Sequence, residues 1–419
     1  MNSLIDKIFF RSQNLNYVNL GIKNITKNSG IEKIFSAINS FSKESEIRYV
    51  GGCLRKIIRK EKVDDIDLAV NLSPIEVCNA LKKKNITFYE SGIEHGTITA
   101  LINNNKFEIT SLRKDVVTDG RHAKVIFSKD WYEDSLRRDF SINSIYADVE
   151  GNLFDPCNGK KDLENGKIIF IGDTEKRIRE DYLRILRYIR FFLNYSKHTH
   201  NPQVIKIIKR NLKGLSKISS ERLLDEFKKL LISDGFFKLL KDKFSLEIIN
   251  LIFSQFKNIN IFKNLNNFAK KNFKNFDFIF LISLMIIDNT DNVNYFIYKF
   301  NISKKDQKRL LFLNNFNSSK ITEKNLNKIL YFNGRESVMD IIYFKAFKAK
   351  NVDDKMLSII QNFKEKKIPL LPFSATLLMT KYNIPEGKEL GNKLRKIEEL
   401  WVDNNFEVSE KEVKKIINN

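Results

Sequence analysis

Two acidic side chains two positions apart, Asp65 and Asp67, lie in a segment that reads as a strand, so both carboxylates point to one face and can share divalent cations. Two metals held about 3.5 to 4 Å apart would clamp the attacking and leaving oxygens of an in-line phosphoryl transfer. Upstream, Gly51-Gly52 stands between a short apolar run and a helix-forming segment. Glycines there let the backbone approach a ligand closely, and the exposed amides of a helix start bind phosphate oxygens, with Arg55 adding a positive charge. A third carboxylate, Glu108, has apolar neighbours on both sides in Phe107-Glu108-Ile109, which turns it away from the buried side chains of its strand. Each piece alone is ordinary, since paired glycines mark turns and an Asp-x-Asp is usually solvated. The order strand, glycine turn, helix, acidic strand gives them joint meaning.

A mixed sheet is needed to hold these groups. Apolar spacing predicts a helix over 31–41, a short strand at 47–50 running into Gly51, a helix directly after it, and a strand over 63–70. Ser73 and Pro74 suit the N-cap and first turn of a helix over 74–83. Strands at 86–89, 96–102 and 106–112 follow, the last two flanking the hairpin signal Asn103-Asn104-Asn105. From 113 to 130 the pattern dissolves into a polar, glycine-containing connection, and long connections of that kind are usually functional or mobile. Beyond it helices dominate, with short apolar pairs at 145–155 and 168–171 as exceptions, and after Thr174 almost every window is helical. The expected fold class is α+β, a mixed α/β head followed by an all-helical remainder.

With 419 residues and 42% apolar content the chain can bury a sizeable core. Its formal charge of +22 favours a polyanionic partner such as nucleic acid or an anionic surface, although Lys, Asn, Ile and Phe are abundant throughout and part of the excess follows that general bias. Cys53, Cys78 and Cys157 show no CxxC spacing and no histidine pair, which argues against a disulfide framework and a structural zinc site and fits a reducing cytoplasm. The first 19 residues lack the apolar core of a signal peptide, and no segment offers the apolar run needed to span a membrane. No stable protein partner is implied.

Gly51-Gly52, twelve residues, then Asp65-Ile66-Asp67-Leu68 resembles the signature of the DNA polymerase β nucleotidyltransferase superfamily. More closely, it resembles motif A of the bacterial and eukaryotic (class II) CCA-adding enzymes and poly(A) polymerases. The resemblance implies a polymerase β-like head followed by helical neck, body and tail. Its boundaries would be an N-terminal extension at 1–30, the head at 31–140, a base-binding neck at 141–215, a body at 216–300 and a tRNA-binding tail at 301–419. It implies that Asp65 and Asp67 bind catalytic magnesium (Mg2+), with Glu108 as a third acidic member, and that Gly51, Gly52 and Arg55 meet the nucleotide phosphates. The substrates implied are CTP, ATP and the 3′ end of tRNA. Lys56 departs from the pattern, standing where the family usually has aspartate.

Further motifs follow in family order. The run from Glu133 to Asn143 resembles motif B, associated with the ribose and triphosphate: Arg137 and Arg138 offer forked donors for phosphate, Asp139 can accept from a 2′-hydroxyl, and Asn143 closes the run. Residues 154–163 resemble motif C, a hinge. The run from Arg179 to Arg187 resembles motif D, the protein template for the incoming base. There Asp181 and Arg184 are three apart on a predicted helix, so they project side by side, with Arg187 in the same run. A carboxylate only accepts and a guanidinium only donates, so the pair fits the amino donor and ring-nitrogen acceptor that cytosine and adenine share. Uracil and guanine present the reverse pattern, and leaving buried polar groups unpaired discriminates by roughly 10⁴ to 10⁵.

The segments 92–97 and the loop carrying Arg113, Asp115, Asp119, Arg121 and His122 resemble CCA-adding enzymes more than poly(A) polymerases. In that family the flexible loop helps the site change from CTP to ATP. Ile218 to Leu223 resembles motif E, which supports the neck, and Ser219 or Ser220 suits a helix N-cap. The function implied is addition of C, C and A to tRNA from CTP and ATP without a nucleic-acid template, releasing pyrophosphate. The residues leave open a poly(A) polymerase, an enzyme adding only CC or only A, and an inactive RNA-binding protein on the same scaffold.

Overall fold

Nine strands and the helices packed on them carry the candidate chemistry in a computed structural model that describes residues 17–27, 29–117, 124–317 and 322–418. Contacts divide the chain into two units, Met1–Gly235 and Phe236–Asn419. In the first, a seven-stranded sheet has the order β3-β4-β5-β2-β1-β8-β9, with β1 Ile47–Val50, β2 Asp67–Val70, β3 Thr87–Gly92, β4 Thr97–Ile102, β5 Asn105–Ser111, β8 Tyr146–Ala147 and β9 Leu153–Phe154. The β2–β5 pairing is parallel and the other pairings are antiparallel.

Alternation along β1 divides the core between the two faces. Tyr49 meets Phe35 of α1 Glu32–Asn39, their ring centroids 4.9 Å apart. Val50 points the other way, into a cluster with Ala69, Leu112, Trp131 and Tyr146. Helix α2 Gly52–Ile58 leaves the glycine turn, and α3 Pro74–Lys83 opens with a capping box in which Ser73 accepts from the Glu76 amide and Glu76 accepts from the Ser73 amide. Strand β2 begins at Asp67, not at 63: its β1 partner ends at Val50, directly opposite Asp67, and the chain then turns away.

Two expectations about local structure are corrected. Within 113–130, β6 Arg113–Val117 and β7 Lys124–Phe127 form a two-stranded antiparallel sheet, because Val116, Val117, Val125, Ile126 and Phe127 favour extended backbone even among charged neighbours. Asp119, Arg121 and His122 lie outside the described residues. After α4 Trp131–Arg137 and α5 Gly159–Asn165, the stretch through motif D is two helices, α6 Thr174–Glu180 and α7 Arg184–Tyr195. Asp181 between them is extended, at φ −153° and ψ 106°. Next to it, Tyr182 packs so tightly on Gly214 that a Cβ at 214 would lie 2.0 Å from Tyr182 Cε1. Helices α8 Pro202–Asn211 and α9 Ser220–Leu231 complete the first unit.

Among the described residues of the second unit every regular element is a helix. Phe280, Phe296, Phe344 and Phe347 are almost wholly buried, so the aromatic spacing read from the sequence is mainly core. Leu378, Ile384, Leu390, Ile397, Val413 and Ile417 make a separate cluster near the C-terminus. Among the described residues no helix is long and apolar enough to cross a membrane.

Candidate active site

The acidic group forms where three strands run side by side. Val50 pairs with Asp67, and Asp67 pairs in parallel register with Glu108, so the two carboxylates stand on adjacent strands with side chains on one face. Gly51 takes φ 74° and ψ −117°, a left-handed setting that favours glycine. A Cβ at Gly51 or Gly52 would lie 3.7 or 3.9 Å from Asp67 Oδ2, so the turn brings bare backbone against that carboxylate. Burial, then the negative charges of Asp65 and Glu108, push the Asp67 carboxyl up to about 6, with Arg55 and Arg138 opposing. Asp65, in the irregular stretch before β2, and Glu108 are exposed. Lys56 forms an ion pair with Asp64, the residue before Asp65.

Among the described residues no group of three or more His, Cys, Asp and Glu side chains is assembled as a metal cage. The donor chemistry nevertheless fits a divalent cation. Hard carboxylate oxygens are what such an ion takes, and beside burial the charges of Asp65 and Glu108 also push the Asp67 carboxyl up. On the cationic side, Arg55 Nε is buried without a hydrogen-bond partner, beside the glycine turn. A buried orphan donor there suits an anionic ligand.

From Arg55 a polar chain runs into the helices. Arg55 donates to Asn143 Oδ1, and Asn143 Nδ2 donates to Asp139 Oδ1 at 2.6 Å. Asp139 also accepts from the Phe140 amide at 3.0 Å and, at Oδ2, from Arg187 Nε at 2.6 Å. Burial works against its charge, but the Arg187 guanidinium holds the Asp139 carboxyl well below the usual carboxylate range. Arg138 donates to Asp134 Oδ2 at 3.0 Å and to Tyr146 Oη at 2.9 Å, while Arg137 Nε donates to Asp134 Oδ1 at 2.7 Å. Asp134 is also buried, and Arg138 and Arg137 bring it down to about 2. Asp139 and Asn143 are thereby tied to Arg55, Arg138 reaches the Asn143 carbonyl, and Arg137 shares Asp134 with Arg138. Both oxygens of Asp139, however, face protein partners, and the residue is 7% exposed.

The proposed base readers are close in sequence but not side by side on one helix. Asp181 accepts from Arg222 Nη2 at 2.7 Å and from the Leu183 amide at 3.1 Å. Arg184, in the first turn of α7, donates from Nη1 to Glu180 Oε2 at 2.7 Å and to the Arg177 carbonyl at 2.8 Å. Arg187 faces Asp139 and, at 3.9 Å, Glu226. In the hairpin region, Arg113 donates to the His95 carbonyl and Lys114 pairs with Glu133 at 3.0 Å. Asp115 pairs through its backbone with Val125.

Asp134, Glu180 and Arg222 fall inside the motif runs but drew no role of their own from the sequence, and Glu226 was missed. Glu226 left a signal: it falls among Leu223, Phe227 and Leu230 on the inward stripe of α9, where a carboxylate needs a partner.

Comparison with known proteins then adds independent findings. Residues 47–169 match the poly A polymerase head domain, and residues 200–259 match a region described as a probable RNA- and SrmB-binding site of polymerase A. The human mitochondrial CCA tRNA nucleotidyltransferase 1 is 31% identical over 401 residues, covering 91% of this chain and 89% of that protein. The CCA-adding enzyme of Lactobacillus johnsonii is 35% identical over 216 residues, 50% of this chain and 53% of that one. Among solved structures, the CCA-adding enzyme of Bacillus stearothermophilus in complex with CTP gives a TM-score of 0.72 at 19% identity, covering 93% of this chain and 97% of its own, a likeness of fold.

Proposed function

We infer the reaction from one premise: the chain belongs to the family of CCA-adding enzymes and poly(A) polymerases, and is a nucleotidyltransferase. It adds C, C and A to the 3′ end of tRNA from CTP and ATP, without a nucleic-acid template, and releases pyrophosphate. The observation that carries this reading is the pairing of a crowded acidic group at Asp65, Asp67 and Glu108 with the Gly51-Gly52 turn and the orphan Arg55 Nε.

The amides of the glycine turn and Arg55 take oxygens of the triphosphate, and Asn143, held by Asp139, fixes the Arg55 side chain. Asp65 and Asp67 would hold divalent metal, read here as magnesium, which when bound neutralises phosphate charge and makes the attacking hydroxyl more acidic. The terminal ribose hydroxyl of tRNA forms a new bond to the α-phosphorus, and the bond to the bridging oxygen breaks as pyrophosphate leaves. Glu108 completes the acidic face beside Asp67. Asp181 and Arg184 read the base edge, and each has a protein partner, Arg222 and Glu180, that a base must share or displace. The helices beyond Phe236 supply basic surface for tRNA phosphates. Three free cysteines suit a reducing compartment, and cytoplasmic placement is proposed on that basis.

Incubating the full chain with tRNAs ending before C, after CC and after CCA, with each labelled nucleotide in turn, tests the reading. CTP should be used first, ATP only after CC, and nothing after CCA. Runs of A on any end would identify a poly(A) polymerase, and no incorporation at all would leave an RNA-binding scaffold.

A further inference from the structure

Helix α7 carries two rings four residues apart, Phe191 and Tyr195, which leave the same side of the helix and lie stacked, their centroids 5.9 Å apart. Arg55, from α2, places its guanidinium carbon 5.0 Å from the Phe191 centroid and 5.9 Å from the Tyr195 centroid. Arg59, directly after α2, stands 5.2 Å from the Tyr195 centroid. The Phe191 ring is also met by Arg190 at 4.3 Å and by Arg187 at 5.6 Å. Three guanidinium groups from two helices thus gather on one buried ring.

Like charges so close repel. Arg187 is held by Asp139 and Glu226, and Arg190 by Glu226. Among the described residues Arg55 has no carboxylate within ion-pair distance, and its hydrogen bond goes to Asn143, a neutral amide. Burial, and behind it the charges of Arg187 and Arg55, push the Arg190 guanidinium below its ordinary value, with Glu226 opposing. Arg55 is therefore the one of the three least restrained against moving away from the other two. An aromatic face attracts a cation as a carboxylate does, yet adds no anion to compete with phosphate for the guanidinium. Packing alone does not call for that face. Between Phe140 and Tyr195, an apolar side chain of similar volume would fill the space.

We propose that Phe191 is a positioning residue for the triphosphate, with Tyr195 beside it: the ring seats Arg55 beside the glycine turn against the repulsion of Arg187 and Arg190, before the nucleotide arrives. The proposal rests on the reading of Arg55 as a phosphate ligand. A donor already in place needs no reorganisation when the ligand binds, whereas a guanidinium that leaves its seat must be brought back at the expense of affinity. The seat serves the phosphates, which all nucleotides share, and leaves the choice of base to other groups.

The test keeps the ring nearly constant in size and withdraws charge from its face. Full-length chains carrying 4-fluoro-, 3,5-difluoro- or 3,4,5-trifluorophenylalanine at position 191 are assayed with CTP on tRNA lacking its 3′ end and with ATP on tRNA ending in CC. Inorganic tripolyphosphate serves as a competitor without a base. KM for CTP, KM for ATP and the tripolyphosphate inhibition constant should rise together and stepwise, to about tenfold with three fluorines, with kcat within about threefold and the exclusion of UTP and GTP unchanged. The same series at Phe170, a buried ring that meets aromatic neighbours and no guanidinium among the described residues, should leave all three constants flat. If the trifluoro variant does not fold, the first two steps carry the test. Arg55→Gln is the reference. If it raises the three constants while the fluorine series at 191 stays flat or tightens binding, the ring seat is overturned and Arg55 keeps its phosphate role. If Arg55→Gln leaves the constants unchanged, the phosphate reading of Arg55 falls and the proposal falls with it. A series that lowers kcat alone, or relaxes the choice of base, also overturns the seat.

Discussion

Two clusters of charge in the first unit are built on opposite rules. Around Asp67 the carboxylates repel one another, Asp65 and Glu108 face solvent, and a buried Arg55 nitrogen has no partner. Around Asp134 and Asp139, in α4 and the segment after it, buried carboxylates are matched by Arg137, Arg138 and Arg187. Charges left unbalanced are available to ligands; charges balanced in the interior hold other groups still. The sign of the carboxyl shift separates the two, upward at Asp67 and downward at Asp134.

Paired substitutions sharpen that contrast, and they carry the largest expected effects. Asp67→Asn should cut nucleotide incorporation by about a thousandfold, the equivalent of several kcal/mol of transition-state stabilisation, while the unfolding midpoint stays put or rises as repulsion is relieved. Asp134→Ala should do the reverse in kind: it leaves two guanidinium groups short of their partner and should cost about 3 to 5 kcal/mol in denaturant unfolding. If Asp67→Asn unfolds the chain, or Asp134→Ala leaves its stability intact, the division into reacting and holding charges is wrong.

Acid should expose the holding cluster next. Asp134 has a folded value of about 2, below the ordinary carboxylate value. A depressed folded value contributes stability above the unfolded value, and that contribution is lost as pH falls through the folded one. With Asp134 1% exposed at its side chain, the share at stake is about 2 kcal/mol, lost between roughly pH 4 and pH 2. Chemical unfolding at stepped pH should show that loss in the parent chain and not in Asp134→Asn.

The same contrast explains what could be read from the sequence. The placing of Asp67 beside Glu108 and the glycine turn was legible because these residues are tied by local rules: glycines at a strand end, carboxylates two apart, and a third carboxylate between apolar neighbours. The α+β head and helical remainder followed from periodicity in the same way. The break between α6 and α7 was not legible. The run from Arg179 to Arg187 contains no Gly or Pro, and Tyr182 lies against Gly214, far along the chain. Partners such as Arg222 and Glu226 are likewise set by packing of distant segments, although a carboxylate on the apolar stripe of α9 was a sign that could have been used. The β6–β7 sheet escaped because charged residues interrupt its extended-favouring ones.

The smallest expected effect concerns Lys56, the departure from the family pattern that borders the reacting cluster. Its ion pair with Asp64 is largely open to water, the partners 29% and 70% exposed at their side chains, and exposed pairs contribute about 0 to 1 kcal/mol. Lys56→Ala should therefore shift unfolding by less than about 1 kcal/mol and leave incorporation within about threefold. Lys56→Asp is the sharper substitution. It installs the residue usual for the family, but here that residue would meet Asp64, next to the already crowded Asp65 and Asp67, and add to their repulsion. We expect Lys56→Asp to lower incorporation more than Lys56→Ala does, and Lys56→Asp with Asp64→Lys to recover it. A Lys56→Asp enzyme as active as the parent would mean that Asp64 and Lys56 have no hold on Asp65, and that the charge reversal at this position is confined to the surface.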